Sequence, residues 1–277
     1  MKIGFFDTIA WDYDTETPYR QPLGGSQSAL CYLAVALAAM GHEVYLCNYT
    51  SKPGVYRGVN CCSLTNLSRE LLTTLDAAIV LNHPETGTQL KPLLGEKTKL
   101  ILWMQHACDQ SAAQPLQCLA IQLMYDSIIF VSEWQKQLYL QQFNLKNMQI
   151  GVMKNAIAPA FERFFDEGEN ILTQKLQPPV LTYTSTPFRG LDLLLDIFPK
   201  IRRGFPGVRL KVFSSLKVYQ VAENRDEWEP LYQRCAETAG VEYIGSLTQP
   251  ELGRELRSIN ILAYPNTFAE TDRKSTR

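Results

Sequence analysis

Short apolar runs alternate with helical segments along nearly the whole sequence, and this alternation limits the possible folds more than any other feature. In the first half the runs are KIGFF, EVYLC, AAIVL, KLILWM, SIIFV and QIGVM. Between the first two lies SQSALCYLAVALAAM, which has apolar residues at helical spacing and is ended by Gly41. This pattern predicts a parallel sheet with right-handed crossovers and helices on both faces.

A second series of the same kind follows the polar stretch EGENILTQKLQPP. Its apolar runs are VLTYT, VRLKVF, VEYIG and INILAY, and we interpret INILAYP as a buried strand. The sequence therefore predicts an α/β protein with two Rossmann-like domains, of which the second is incomplete. We expect an N-terminal domain over residues 1–155, a linker over 156–178 and a partial C-terminal domain over 179–277.

The charge balance excludes a broad basic surface. The net charge is -1 and the pI about 6.3, so we expect no nucleic-acid partner, and any phosphate binding must be local. Seven cysteines without a C-x-x-C pair favour reduced thiols in a cytoplasmic protein. The N-terminus resembles neither a signal peptide nor a membrane span. Peripheral contact with a membrane remains open.

The segment LGGSQSAL lies after the first strand and opens a helix. Two glycines let a ligand approach the backbone, and a helix start offers N–H groups that suit a diphosphate. Gly24, Gly25 and Ser26 are thus candidate phosphate-binding residues. A tight turn with an N-cap and no ligand is the open alternative. A nicotinamide dinucleotide is disfavoured because the glycine spacing is not G-x-G-x-x-G. In addition, strand two ends in Asn48 and Tyr49, where an Asp or Glu that binds the ribose would be expected.

The connection DTIAWDYDTETPYRQP is long for a strand-to-helix loop. It mixes carboxylates with aromatic side chains, a combination that suits sugar recognition. Trp11 and Tyr13 are therefore candidate acceptor-binding residues, and a disordered flap is the alternative.

Two further positions carry candidate chemistry. His106 follows LILWMQ, at the carboxyl end of a predicted buried strand, where ligands bind in open parallel sheets. His106 and Cys108 lack the other ligands of a zinc site, so we predict no metal. Arg189 and Gly190 stand where the first helix of the second domain begins, which would bring a cation and free N–H groups to one point. A structural histidine and a surface arginine beside a capping glycine are the alternatives.

Four segments, in order, give the sequence a family resemblance. They are GGSQSALCYLAVALAAMGHEVYL, NAIAPAF, STPFRGLDLLLDIFPKI and GSLTQPELGRELRSINILAYPNTFAET. Together they resemble the retaining glycosyltransferases of family 4, which have the two-domain GT-B architecture. The resemblance covers nearly the whole chain up to about Thr271.

The resemblance implies transfer of a sugar from a UDP- or GDP-linked donor to an unknown sugar, lipid or protein acceptor, with retention and without a cofactor or metal. By matching position, Gly25 would face the donor phosphates and Arg189 would neutralise the diphosphate. His106 would lie near the transferred sugar, and Glu270 would approach the sugar hydroxyls. Thr184 stands where many members have a second cationic residue, an arginine.

The end of the sequence departs from the family. The second glutamate of the signature is expected at position 278, and residues 272–277, DRKSTR, do not resemble the family's residues there. We therefore expect an incomplete copy of an enzyme, with divergent sequence after Thr271 and uncertain activity. A non-catalytic remnant that binds a nucleotide sugar or a partner is the alternative.

Overall fold

The computed structural model describes residues 1–145 and 148–271, so the expectation about residues 272–277 lies outside the described residues. The chain divides into two compact units. The first comprises Met1–Thr17, Gly25–Ile157 and the described residues from Ala269 onward, and the second comprises Pro18–Gly24 and Ala158–Phe268. The domain limits expected from the sequence, at residues 155 and 179, stay a prediction.

The first unit is built on an eight-stranded sheet. Its strands are β1 (Lys2–Phe6), β2 (Glu43–Asn48), β3 (Gly54–Tyr56), β4 (Val59–Ser63), β5 (Ala77–Leu81), β6 (Lys99–Met104), β7 (Ser127–Phe130) and β8 (Gln149–Val152). They lie in the order β3-β4-β2-β1-β5-β6-β7-β8. All pair in parallel except β3, which is antiparallel to β4. The predicted apolar runs of the first half are therefore confirmed as parallel strands.

Nine α-helices are assigned within the described residues. They are α1 (Thr17–Arg20), α2 (Gly25–Ala39), α3 (Arg69–Thr74), α4 (Thr86–Leu90), α5 (Leu119–Gln122), α6 (Glu133–Phe143), α7 (Leu191–Gly204), α8 (Glu229–Glu237) and α9 (Gln249–Leu256). The predicted stop of α2 is confirmed, because Gly41 has a φ of 88° and its N–H donates to the Ala38 carbonyl. None of the described helices is long and apolar enough to cross a bilayer.

The segment SEWQKQLYLQQF predicts a helix with Ser132 as its N-cap and a partial apolar face of Trp134, Leu138 and Phe143, and α6 begins as predicted. The Ser132 hydroxyl accepts a hydrogen bond from the Gln135 amide, as expected of an N-cap. Phe143 is buried as predicted, but Trp134 is not, because 49% of its surface is exposed. Gln135 and Tyr139 are also buried, and both side chains donate to carbonyl groups at the end of β6. These hydrogen bonds to the end of β6 therefore contribute to the orientation of α6.

The hairpin of β3 and β4 has no counterpart in the sequence prediction. Tyr56 and Val59 pair directly, so the turn has only Arg57 and Gly58, with φ values of 51° and 79°. Two positive φ angles in a two-residue turn match the right-handed twist of the strands that it joins. Because arginine is uncommon in this conformation, the turn could not be recognised from the sequence.

The second unit has a four-stranded parallel sheet. Its strands are β9 (Val180–Tyr183), β10 (Arg209–Val212), β11 (Val241–Tyr243) and β12 (Ile261–Leu262), in the order β11-β10-β9-β12. Leu194, Leu195 and Phe198 of α7 are buried against it. The N-terminus of α9 is closed by a reciprocal capping box between Thr248 and Glu251. The second alternating series is thereby confirmed.

The expected buried strand INILAYP is only partly correct. Ile259 is buried, but Ile261 has 53% of its surface exposed, and the strand is limited to Ile261–Leu262. Among the described residues β12 pairs with β9 alone, so it lies at an edge of the sheet. An edge position explains why an apolar run is exposed.

Candidate functional site

Buried polar side chains mark the carboxyl edge of the sheet in the first unit. They are Asp7 after β1, Asn48 at the end of β2, Asn82 after β5 and Gln105 after β6. Ligands of open parallel sheets bind at this edge. Buried polar groups need hydrogen-bond partners. Since several of them converge where ligands of such sheets bind, this edge is the candidate site of the first unit.

His106 lies at the end of β6 with its backbone fixed. Its carbonyl accepts hydrogen bonds from the Gln135 amide nitrogen at 2.8 Å and from the Tyr139 hydroxyl at 2.9 Å. Its ring Nδ1 is buried and has no hydrogen-bond partner among the described residues. Burial lowers the pKa of His106 to about 4, and the nearby His83 makes the smaller contribution to this decrease. The imidazole is therefore neutral at physiological pH.

The segment that contains Glu270 is bound to the same strand end. The Thr271 hydroxyl donates to the Gln105 carbonyl at 2.7 Å, and the Ser132 hydroxyl donates to the Thr271 carbonyl at 2.7 Å. Gln105 immediately precedes His106, and Thr271 immediately follows Glu270. Two predicted catalytic positions thus flank one hydrogen bond within the first unit.

Asp7 organises the start of the long loop after β1. Its buried carboxylate accepts from the Tyr13 hydroxyl at 2.7 Å, the Gln27 side chain at 3.0 Å and the Ile9 amide at 3.2 Å. Burial raises the pKa of Asp7, and these bonds oppose the increase. The sequence prediction missed this residue, although its place directly after β1 was the available signal.

The two candidate acceptor residues differ in exposure. Tyr13 is buried, with its hydroxyl on Asp7 and its carbonyl accepting from the Asn48 side chain at 2.7 Å. Trp11 is half-buried. In this conformation Tyr13 anchors the loop to the sheet, and Trp11 is the better placed of the two to meet a ligand.

The glycine loop leads directly into a helix, as predicted. The helix α2 begins at Gly25, which is exposed, and Ser26 is half-buried. Neither Gly24 nor Gly25 has a positive φ. Backbone conformation therefore does not account for these glycines, and their contact with a phosphate stays a prediction.

In the second unit, Arg189 ends a short 3₁₀ turn, Pro187–Arg189, just before α7. The Arg189 amide donates to the Thr186 carbonyl at 3.2 Å, and the Gly190 amide donates to Pro187. The turn therefore uses the N–H groups of both Arg189 and Gly190. The candidate cation at this point is the Arg189 side chain.

Gly190 is required by the backbone in two ways. Its φ is 98°, a conformation that other residues rarely adopt. A β-carbon added there would lie 2.0 Å from the carbonyl oxygen of Pro265, which is a main-chain atom. The turn that presents Arg189 therefore depends on a glycine at the next position.

Hydroxyl groups collect at the carboxyl edge of the second sheet. Ser214 and Thr186 are buried, and their hydroxyls have no hydrogen-bond partner among the described residues. Ser215 and Ser246 pair at 2.7 Å. The sequence prediction did not single out these residues, which add uncharged polar groups to the edge. No group of three or more His, Cys, Asp or Glu side chains in the described ranges is placed to hold a metal.

No family model and no curated protein sequence matches the chain. Solved structures do resemble it. Sucrose-phosphate synthase from Thermosynechococcus elongatus aligns with a TM-score of 0.66 and 15% identity, covering 99% of this chain and 77% of that one. WaaG, a glycosyltransferase involved in lipopolysaccharide biosynthesis, aligns with a TM-score of 0.62 and 11% identity over 96% and 75% of the two chains.

An alpha-glucosyltransferase in complex with UDP aligns with a TM-score of 0.57 and 10% identity, over 97% of this chain and 74% of that one. Identities this low establish the fold alone. The α/β fold of GT-B type is therefore confirmed.

Proposed function

We propose that this chain belongs to a retaining glycosyltransferase that resembles family 4 and transfers a sugar from a nucleotide-sugar donor. The observation that carries the proposal is the Thr271 to Gln105 hydrogen bond of 2.7 Å, which adjoins both Glu270 and His106. The two residues that the resemblance assigns to the sugar are thereby supported as neighbours in the fold. The GT-B fold supports the same reaction class.

The departing diphosphate would be stabilised by Arg189. In the reaction the bond between the anomeric carbon and the diphosphate oxygen breaks, and its electron pair leaves with the nucleoside diphosphate. A fixed guanidinium at the start of α7, together with the positive end of the helix dipole, favours that developing charge. We therefore propose Arg189 as the main electrostatic contribution of the second unit to the reaction.

The sugar itself would be oriented by uncharged and acidic groups. A neutral His106 can donate to or accept from a sugar hydroxyl without placing a second cation beside the developing positive charge of the ring. Glu270 would accept hydrogen bonds from sugar hydroxyls. The acceptor oxygen attacks the face that the diphosphate leaves, its proton passes to the departing diphosphate oxygen, and the configuration is retained.

UDP is the first donor nucleotide to test, and GDP the second. The alpha-glucosyltransferase with this fold was solved in complex with UDP, although its low identity does not transfer that preference. The loop of Trp11 would meet the acceptor, which we propose to be a sugar, a lipid or a protein. We further propose a cytoplasmic protein, since nucleotide sugars are made there.

Calorimetric titration of UDP and GDP, with release of nucleotide from UDP-glucose and GDP-mannose measured in parallel, tests the proposal. We expect one nucleotide to bind and Arg189→Ala to weaken it by about 10- to 100-fold, the range of charge-assisted hydrogen bonds. Arg203→Ala, which changes an exposed arginine of α7, is the matched control. If neither nucleotide binds, the proposal is overturned. If a nucleotide binds but no turnover is measured, the alternative of a non-catalytic binding remnant is favoured.

A further inference from the structure

The Arg189 guanidinium lies over aromatic rings of its own unit. Its Cζ is 4.5 Å from the ring centre of Phe268 and 5.7 Å from that of Phe188. A guanidinium within about 6 Å of a ring centre is attracted by the negative face of the ring. Phe268, which is the nearer ring, comes from a segment far away in sequence. Phe268 therefore contributes a cation–π contact from outside the turn that contains Arg189.

The two rings form one aromatic cluster. Phe188 and Phe268 have centroids 5.6 Å apart in an edge-to-face arrangement, and Phe188 also lies 6.3 Å from Trp228. Edge-to-face pairs at this separation are favourable. The cluster therefore restrains both phenylalanines without help from a ligand.

Asn266 holds the backbone of Phe268 from both sides. Its side-chain oxygen accepts from the Phe268 amide at 2.8 Å, and its side-chain nitrogen donates to the Phe268 carbonyl at 2.6 Å. The Asn266 amide in turn donates to the Tyr264 carbonyl at 2.9 Å. The end of this loop is thus locally fixed, and so is the ring that it presents.

Contact with a ring leaves the chemistry of an arginine toward phosphate intact. An aromatic ring can stack on the flat face of a guanidinium, whereas phosphate oxygens take N–H groups along its edge. Phe268 and a diphosphate would therefore bind the same side chain without competing. A long side chain that is already restrained loses less rotamer freedom when the anion binds.

We propose that Phe268 is a positioning residue for the donor diphosphate, because its ring holds the Arg189 guanidinium in the place where it meets the phosphates. The inference rests on the proposed function, in which Arg189 binds that diphosphate. The aromatic residue two positions before Glu270 thereby gains a role distinct from that of the glutamate. Asn266 supports it by fixing its backbone.

A double-mutant cycle measured with UDP or GDP, whichever the wild-type chain binds, tests the proposal. We expect Phe268→Leu to weaken binding by about 3- to 10-fold, the range of a partly desolvated cation–π contact. In an Arg189→Ala background the same change should have no further effect. Phe268→Tyr keeps the ring and should retain the wild-type affinity.

Two controls separate positioning from general damage. Phe205→Leu alters an exposed ring in the same unit and should leave affinity unchanged, and the unfolding midpoint of each variant reports folding. If Phe268→Leu does not fold, the comparison of Phe268→Tyr with Phe268→Met decides. An equal loss in the presence and absence of Arg189, or no loss at all, would overturn the inference alone. Absence of nucleotide binding by the wild-type chain would overturn the proposed function with it.

Discussion

The hydroxyl of Thr271 donates a hydrogen bond to the main-chain carbonyl of Gln105 over 2.7 Å, although the two residues are 166 positions apart in the chain. A main-chain acceptor at a strand end is fixed by the sheet, so this bond selects one position for the segment around Thr271. Glu270 is held near the end of β6 as a result.

Thr271→Val tests this bond because it removes the hydroxyl and keeps the shape. We expect a loss of about 1 kcal/mol in the free energy of unfolding, the usual contribution of a single hydrogen bond. Thr271→Ser retains the donor and should retain most of the stability. Urea denaturation measures both, and equal losses for the two variants would contradict the expectation.

The low pKa of His106 predicts a pH dependence of stability. Its pKa in the folded chain is about 4, against 6.5 in the unfolded chain. Between these values the unfolded chain binds a proton that the folded chain does not, so stability falls as the pH falls through this window. The stability that depends on a neutral His106 is fully present well above pH 6.5. At pH 5 about 2 kcal/mol of it is lost.

The variant His106→Gln isolates this effect, since it cannot take up the proton. Urea denaturation at pH 7 and pH 5 should show a smaller difference for the variant than for the wild-type chain. If the two differences are the same, the low pKa is wrong. NMR titration of the His106 ring gives the value directly.

Tyr13→Phe probes the anchor of the loop after β1. It removes the hydroxyl that donates to Asp7 at 2.7 Å and leaves a buried carboxylate with one bond fewer, so we expect a loss of about 1 to 3 kcal/mol. Because this bond lowers the pKa of Asp7, the pKa of Asp7 should rise in the variant. Amide hydrogen exchange should become faster in the loop but not in β8, and uniform protection would contradict the anchoring role.

Gly190→Ala tests the turn that presents Arg189. The added carbon would lie 2.0 Å from the Pro265 carbonyl oxygen at a φ of 98°, so a loss above about 2 kcal/mol is expected. Gly204→Ala in the same helix is the matched control, since its added carbon meets nothing within 4 Å. This control should be neutral or slightly stabilising. Thermal unfolding distinguishes the two variants, and a harmless Gly190→Ala would refute the strain.

The strands with continuous apolar runs were predictable because burial on both faces of a parallel sheet leaves a strong compositional signal. The stop of α2 at Gly41 and the Ser132 cap of α6 were predictable for a similar reason, since each depends on a local residue type. Periodicity alone could not orient α6. The partners of Gln135 and Tyr139 lie on another strand, far away in sequence.

The candidate site divides in the same way. His106 was predicted from its place after an apolar run, whereas Asp7 was not singled out although it directly follows β1. Thr271 and Phe268 could not be found by spacing, because their partners Gln105 and Arg189 meet them only after folding. Contacts between distant segments leave no local pattern to detect.

The short hairpin of β3 and β4 has a consequence for how copies of this chain behave at high concentration. An uncovered β4 would offer a row of unpaired backbone groups to another chain. The three residues Gly54–Tyr56 cover part of that row, and they run antiparallel and end in a tight turn at Arg57. So short an outer strand is a poor template for adding a further one, and it protects this side of the sheet from self-association.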